Sequence, residues 1–233
     1  MNKKIQKSED RGRAQSNWLE ARYYFSFANY YNPDRTGFGK LLVLNDDIIA
    51  PGKGFGTHPH QNMEIITIPT FGKLAHKDST GSEEVIVPGQ IQVMSAGSGV
   101  FHSEYNGSET QETKLFQIWI EPSKRNINPR HETKTLNLEK NSLKKIVSGI
   151  KDKETLFINQ DASIYLGEFD KNNKIIFNTK KEKGVFILVI EGNIKIGDDK
   201  LSTRDSIEIT NTDKIIIEIS GNTKILLIEV PMK

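Results

Sequence analysis

The chain of 233 residues contains no cysteine. This absence excludes disulfide bonds, thiol catalysis and zinc sites that are built from thiolates. It is compatible with a reducing compartment, because disulfides rarely persist there. Any metal site in this chain has to be built without thiolate ligands.

Long apolar runs and dense blocks of one charge are also missing. The longest apolar stretches, such as residues 184–190, are far too short to span a bilayer. The N-terminal segment MNKKIQKSEDRGRAQ is charged and lacks the apolar core of a secretory signal. The 32 basic and 30 acidic residues nearly cancel, and each lysine cluster has acidic neighbours. We therefore expect a soluble cytoplasmic protein with no membrane segment and no direct nucleic-acid binding.

Helical periodicity is scarce, and the pattern predicts only one short helical turn at residues 18–21, capped by Ser16 or Asn17. Short runs rich in Ile, Val and Phe recur along the chain, with turn residues between them. Many short strands at this spacing are typical of an all-β sandwich or barrel. The composition becomes polar and proline-bounded over residues 121–150, which predicts a connection between two domains there.

Four of the five histidines lie between residues 58 and 102. His58 and His60 form a pair with i, i+2 spacing, and His102 and Glu104 form another. On a β-strand this spacing points both side chains to the same face. Two such strands facing each other across a barrel or sandwich would bring three imidazoles and a carboxylate to one point. This pattern predicts a metal site.

A structural role in the core is the alternative for these histidines. Three imidazoles and a carboxylate, however, form a costly set of polar groups to bury without a partner. A donor set of nitrogen and oxygen suits iron, and also accepts nickel, cobalt, copper, manganese or zinc. Glu64 shares the strand parity of His58 and His60, so it competes with Glu104 for the place of the carboxylate ligand.

Two segments resemble the motifs of cupin domains. GKGFGTHPHQNMEIITIPTFG at 52–72 matches the first motif, with a final gap one residue longer than usual. GVFHSEYN at 99–106 matches the second, with Gly97 where a proline is usual. The segments RGRAQSNWLEARYYFSFANYYNP at 11–33, HKDSTG at 76–81 and SAGSGVFHSEYN at 95–106 narrow the resemblance to the pirin family.

The pirin resemblance implies an all-β chain of two tandem cupin domains, which are double-stranded β-helix barrels of the jelly-roll type. Its implied division is an N-terminal metal-binding domain at 1–125, a connector at 126–145 and a degenerate domain without metal ligands at 146–233. Carried over by position, the implied metal ligands are His58, His60, His102 and Glu104. Generic cupins would use Glu64 instead.

The resemblance also implies two alternative functions. Some bacterial pirins are quercetin 2,3-dioxygenases, which are oxidoreductases that open a flavonol ring with dioxygen. In that case one divalent transition metal, Fe(II) by preference, is bound, and Glu104 is the general base for the flavonol 3-hydroxyl. Other pirins are non-enzymatic, redox-sensitive iron proteins that regulate a protein partner. We expect a monomeric dioxygenase for flavonol-like substrates, with the regulator as the alternative.

The remaining histidines are expected outside the metal site. His76, in HKDSTG, is predicted in a turn, with a surface or hydrogen-bonding role, and His131 is predicted to be exposed in the connector.

Aromatic residues near the N-terminus are expected to pack in the core or between the domains, with a pocket wall as the alternative. They are Phe25, Phe27, Tyr30 and Tyr31. Arg13 and Tyr23 stand where many pirins have histidine, and these two changes are expected to alter the approach to the pocket.

Overall fold

A computed structural model describes all 233 residues, and almost every regular element is a β-strand. One 3₁₀ turn at Ser8–Asp10 is the single helical element, and no helix is long and apolar enough to cross a membrane. The strands are β1 (Asn2–Gln6), β2 (Gly12–Gln15), β3 (Leu19–Tyr23), β4 (Leu41–Ile49), β5 (Gly54–His60), β6 (Glu64–Phe71), β7 (Leu74–Asp78), β8 (Glu83–Ile86), β9 (Gln90–Ser95), β10 (Val100–Asn106), β11 (Thr113–Ile120), β12 (Arg130–Thr135), β13 (Ser142–Ser148), β14 (Leu156–Phe157), β15 (Ser163–Phe169), β16 (Asn173–Asn178), β17 (Lys183–Ile196), β18 (Asp199–Ser202), β19 (Ser206–Thr210) and β20 (Lys214–Pro231).

The strands form three sheets. A seven-stranded sheet has the order β12-β9-β6-β11-β4-β3-β2, and a four-stranded sheet has the order β5-β10-β7-β8. A nine-stranded sheet has the order β1-β19-β17-β20-β15-β13-β14, with β16 paired to β20 and β18 paired to β17. All strand pairs are antiparallel except β13 with β14.

Side-chain alternation explains why these segments form strands. In the first part of β20, Ile215, Ile217 and Ile219 are buried, while the residues between them are exposed. This alternation of buried and exposed positions is the pattern of a sheet with one solvated face. Register shifts in β17 near Glu191 bend the long β17–β20 pair. The bent sheet encloses its own cluster of 15 buried apolar residues in the C-terminal half.

The two halves of the chain pack sheet against sheet. The seven-stranded sheet contributes Ile66 and Ile68 to a cluster of 25 buried residues, and β17 contributes Phe186 and Leu188 to the same cluster. Thr67 lies between the two isoleucines and points to the other face, where its hydroxyl donates to Glu104 on the four-stranded sheet. One face of the seven-stranded sheet therefore joins the halves, and the other face lines the interior of the N-terminal barrel.

Several sequence-based expectations need correction. Residues 19–23 form β3 and not a helical turn, because Ser16 accepts bonds from the backbone of Trp18 and Leu19 in a turn that leads into the strand. Residues 130–135, predicted as connector, form β12 on the edge of the seven-stranded sheet. Residues 2–6, predicted in the N-terminal domain, pair with β19 of the nine-stranded sheet. The domain bounds at 1–125, 126–145 and 146–233 remain a proposal.

Candidate metal centre

Strand β10 carries two of the predicted ligands on its inner face. His102 and Glu104 are almost fully buried, while Phe101 and Tyr105 beside them point outward and are exposed. A register shift between His102 and Glu104 leaves the strand locally irregular. The predicted i, i+2 placement of these two side chains on one face is therefore observed.

Strand β5 brings the other two histidines alongside β10. His58 lies opposite His102 in the antiparallel pair, and His60 lies opposite Val100. The two strands are hydrogen-bonded neighbours in one sheet, so the expectation that they face each other across a barrel is wrong. The ring centroids of the three histidines are 4.4–4.8 Å apart. One nitrogen atom from each ring lies within 4.8 Å of the others, which is a spacing suited to a shared metal ion.

Glycine at position 54 permits this close pairing. A Cβ atom there would lie 2.2 Å from the carbonyl oxygen of Glu104, so any other residue would push β5 away from β10. The chain then leaves the four-stranded sheet at Asn62, which has a positive φ of 51°. This turn ends the β5 strand directly after the second histidine.

The imidazole nitrogen atoms fit a divalent metal. His58 Nδ1 donates to the carbonyl oxygen of Gly56 at 2.8 Å, so Nε2 is the ring nitrogen that is free to face a metal. Both ring nitrogens of His102 are buried and have no hydrogen-bond partner. Burial and then the neighbouring histidines lower the pKa of His60 to about 4 and that of His102 to about 2. Neutral imidazoles with unpartnered nitrogens are the form that binds metals.

Glu104 is held by hydrogen bonds from the facing sheet. Gln117 Nε2 donates to its Oε2 at 2.7 Å, and Thr67 Oγ1 donates to its Oε1 at 3.4 Å. Trp119 Nε1 in turn donates to Gln117 Oε1 at 3.1 Å, which fixes the amide orientation. Burial raises the pKa of Glu104. Its carboxylate also groups with nitrogens of His102 and His76 within 4.8 Å.

Glu64, the competing carboxylate, lies elsewhere. It begins β6 in the seven-stranded sheet, where its oxygens accept from Ser95 Oγ at 2.6 Å and Asn159 Nδ2 at 3.1 Å. Glu64 does not share the face of His58 and His60, because the chain changes sheet at Asn62, between His60 and Glu64. No group of metal-ligating atoms includes Glu64. Burial raises its pKa, and the bond from Asn159 links it to the C-terminal half of the chain.

His76 and His131 lie inside the protein, which corrects both expectations. His76 is in β7 with its side chain fully buried, and its Nε2 lies 3.0 Å from Asp78 Oδ2. His131 is in β12 with its side chain only 7% exposed, stacked on His76 at 4.6 Å and 3.0 Å from Glu84. The hydrogen-bonding role of His76 is confirmed. The side chains of β7 alternate between buried and more exposed positions around His76, whereas β12 shows no such alternation around His131.

A cavity of about 220 Å³ opens beside the histidines. Its walls combine apolar and aromatic side chains with a few polar groups: Leu19, Tyr23, Phe27, Asn45, Asp47, Phe55, His58, His60, Glu104, Gln117 and Trp119. Apolar walls with a few convergent polar groups are typical of small-molecule sites. Burial, followed by Asp46 and Glu104, raises the pKa of Asp47 well above its ordinary value.

The aromatic run near the N-terminus divides between two roles. Phe25 packs against Phe186 of the C-terminal half at 5.7 Å, which confirms the packing expectation for that residue. Phe27 lines the cavity and contacts Trp119 at 5.3 Å, which is the alternative expectation. Tyr30 contacts Tyr23, whereas Tyr31 is exposed and the packing expectation is wrong there.

Sequence reasoning missed six wall residues, Leu19, Asn45, Asp47, Phe55, Gln117 and Trp119. The available signal was a polar residue at an inward position of an otherwise apolar strand, as in LLVLNDDII of β4. Tyr23 also lines this cavity, so one of the two departures from the pirin pattern does lie at the pocket.

Comparison with known proteins agrees with this architecture. The family model "Pirin" matches residues 5–120, and the model "Quercetinase C-terminal cupin domain" matches residues 145–230. A pirin-like protein of Caulobacter vibrioides is 35% identical, with 94% of this chain and 95% of the relative covered. The chain belongs to the pirin family. Its two halves are cupin domains, as the sequence predicts.

This pirin is also similar, over nearly its whole length, to an Escherichia coli protein sequence and to an E. coli crystal structure. A protein of strain K12 named quercetin 2,3-dioxygenase is 38% identical, covering 97% of this chain and 98% of the relative. The crystal structure of the E. coli pirin YhhW in complex with nickel(II) has a TM-score of 0.94 at 37% identity, and 99% of each chain is covered. This chain carries a metal-binding site of histidine and glutamate in the same fold as that nickel complex.

Proposed function

We propose that this pirin is a metal-dependent dioxygenase that opens flavonols such as quercetin at the 2,3-bond. The observation that carries the proposal is the group of three imidazoles, with the buried carboxylate of Glu104 next to His102, beside an aromatic-walled cavity. The relative named quercetin 2,3-dioxygenase, 38% identical over nearly its whole length, supports this reaction.

The proposed ligands of one divalent transition metal are His58, His60, His102 and Glu104. Their nitrogen and oxygen donors favour Fe(II), and nickel, cobalt, copper, manganese and zinc are compatible with the same set. The nickel complex of the E. coli pirin supports metal binding by this fold, and the metal of this chain is to be measured. Such a metal would lower the pKa of a coordinated hydroxyl group and provide redox chemistry toward dioxygen.

The protein side chains bind and orient the substrate. Trp119, Phe27 and Phe55 form apolar walls that suit a flat aromatic ring. Glu104 Oε1, whose bond from Thr67 is long at 3.4 Å, is the oxygen proposed to accept the proton of the flavonol 3-hydroxyl. A carboxylate whose pKa is raised by burial is a better general base near neutral pH than an exposed one.

Metal depletion and reloading test the proposal. Metal-free protein is reloaded with Fe(II) or nickel(II), and quercetin bleaching is followed with oxygen uptake, with and without air. We expect about one metal per chain, oxygen-dependent bleaching by the loaded protein and strong metal loss in His58→Ala, His60→Ala and His102→Ala. Full metal content in these variants would refute the ligand assignment. Loaded protein without oxygen uptake would refute the dioxygenase and favour a regulator that binds a protein partner.

A further inference from the structure

Two polar side chains in the cavity wall make no hydrogen bond within the protein. Asn45 and Asp47 alternate on β4, so both point into the N-terminal barrel, and they are only 2% and 3% exposed. The Oδ1 atom of each is fully buried and has no partner. Both residues line the same cavity as Glu104.

The neighbouring polar groups are already engaged with one another. Gln117 uses its amide nitrogen for Glu104 and its amide oxygen for Trp119. Gln117 also lies opposite Asn45 in the β4–β11 pair, so its amide is close in the sheet and yet committed elsewhere. Nothing in the wall satisfies Asn45 and Asp47.

Unpartnered buried polar atoms destabilise a folded protein, and each is expected to have a reason. An amide oxygen and a carboxyl oxygen are hydrogen-bond acceptors. The groups that complement them are hydroxyl donors on a molecule inside the cavity. The aromatic walls favour hydroxyls carried by an aromatic ring.

We propose that Asn45 and Asp47 form a hydroxyl-binding subsite that selects polyhydroxylated flavonols over flavonols that carry only the 3-hydroxyl. The subsite rests on the proposed function, because it assumes that a flavonol occupies the cavity. Asn45 and Asp47 are specificity residues here, and the metal ligands are not involved.

Binding of two ligands to paired variants tests the subsite. Affinities for quercetin and for 3-hydroxyflavone are measured without air on nickel(II)-loaded wild type, Asn45→Leu and Asp47→Leu. Each leucine variant is expected to bind quercetin about tenfold more weakly, as for one lost hydrogen bond, and 3-hydroxyflavone within about twofold. Asp47→Asn, which keeps an acceptor oxygen, is expected to stay near the wild-type selectivity.

Thermal stability without ligand or metal separates a binding role from a structural one. Replacing an unpartnered polar group by an apolar one is expected to leave the melting temperature unchanged or to raise it by about 2–4 °C. A lowered melting temperature with unchanged selectivity would overturn the subsite, as would equal weakening for both ligands. If wild type binds neither flavonol, the proposed function fails and the subsite with it. If wild type binds both and the leucine variants keep its selectivity, only the subsite is wrong.

Discussion

At the scale of single residues, His102 is the clearest sign that the cluster is built for a cation. Both of its ring nitrogens are buried without a hydrogen-bond partner, although three of its neighbours are also imidazoles. Such an arrangement costs free energy in a metal-free protein, because buried polar atoms are normally paired. A metal bound by His58, His60 and His102 would remove that penalty for one of the two His102 nitrogens.

The two buried glutamates are expected to respond differently to the loss of charge. Glu104→Gln should abolish quercetin turnover, because the proposed base is gone, while the three imidazoles retain part of the metal. Glu64→Gln should keep metal and turnover, since Glu64 hydrogen-bonds Ser95 and Asn159 away from the cluster. Oxygen uptake and metal content of both variants check this. Severe metal loss in Glu64→Gln alone would place the ligand carboxylate at Glu64.

The pH dependence of metal-free stability follows from the lowered histidine pKa values. The pKa values of His60 and His102 fall from 6.5 to about 4 and about 2 in the folded chain. Below pH 6.5 the unfolded chain therefore binds protons that the folded chain does not, and these residues make stability fall as the pH falls toward 4. Urea unfolding of wild type and His102→Asn across this range should show a shallower decline for the variant. An equal decline of stability with pH in wild type and variant would contradict the lowered pKa of His102.

At the scale of elements, β11 positions the carboxylate of a different sheet. Gln117 and Trp119 alternate on its inner face, and their side chains form a chain of hydrogen bonds that ends on Glu104. The apolar residues Phe116 and Ile118 on the opposite face belong to the cluster that joins the two halves. Strand β11 thus connects the Glu104 carboxylate to the core that the two halves share.

Removing the Gln117 amide is expected to loosen Glu104. Gln117→Leu should lower metal affinity or turnover by about 10–100-fold, as is typical when a residue that orients a ligand is lost. Trp119→Phe is the matched control, because it removes the donor to Gln117 and leaves the bond from Gln117 to Glu104. Metal titration and turnover of the two variants check the order. A larger loss in Trp119→Phe than in Gln117→Leu would show that the Trp119 indole contributes more to the site than the Gln117 amide.

At the scale of the whole molecule, the two cupin halves share one core. Phe186 from the C-terminal half is fully buried and contacts Tyr24, Phe25 and Phe38 from the N-terminal half at 5.9, 5.7 and 6.4 Å. Asn159 adds a polar link by donating to Glu64. A shared core of this kind couples the stability of the two halves.

Phe186→Ala is expected to destabilise the protein by about 3–5 kcal/mol, as for other large core truncations. Because the core is shared, calorimetry should show one unfolding transition that moves as a whole. Ile150→Ala is the control, since Ile150 is 73% exposed and its truncation should change stability by about 0.5 kcal/mol or less. Two separate transitions in wild type would show that the halves unfold independently.

The sequence by itself determined the features that depend on local geometry. The alternation of a strand is set by the backbone, so His102 and Glu104 on one face, and likewise His58 and His60, follow from their spacing alone. Turn residues and β-branched runs likewise predict an all-β chain. The motifs added the pirin family and its two cupin domains.

Only the tertiary structure decided which strands meet. Glu64 has the same strand parity as His58 and His60 in the sequence, yet a turn at Asn62 places it in another sheet. His131 is remote in sequence from His76 and stacks on it, because β12 closes the edge of the seven-stranded sheet. Strand pairing and sheet packing join residues far apart in the chain, and local patterns do not specify which distant strands pair. Asn45 and Asp47 became candidates for binding only when the fold placed them in the wall of the cavity.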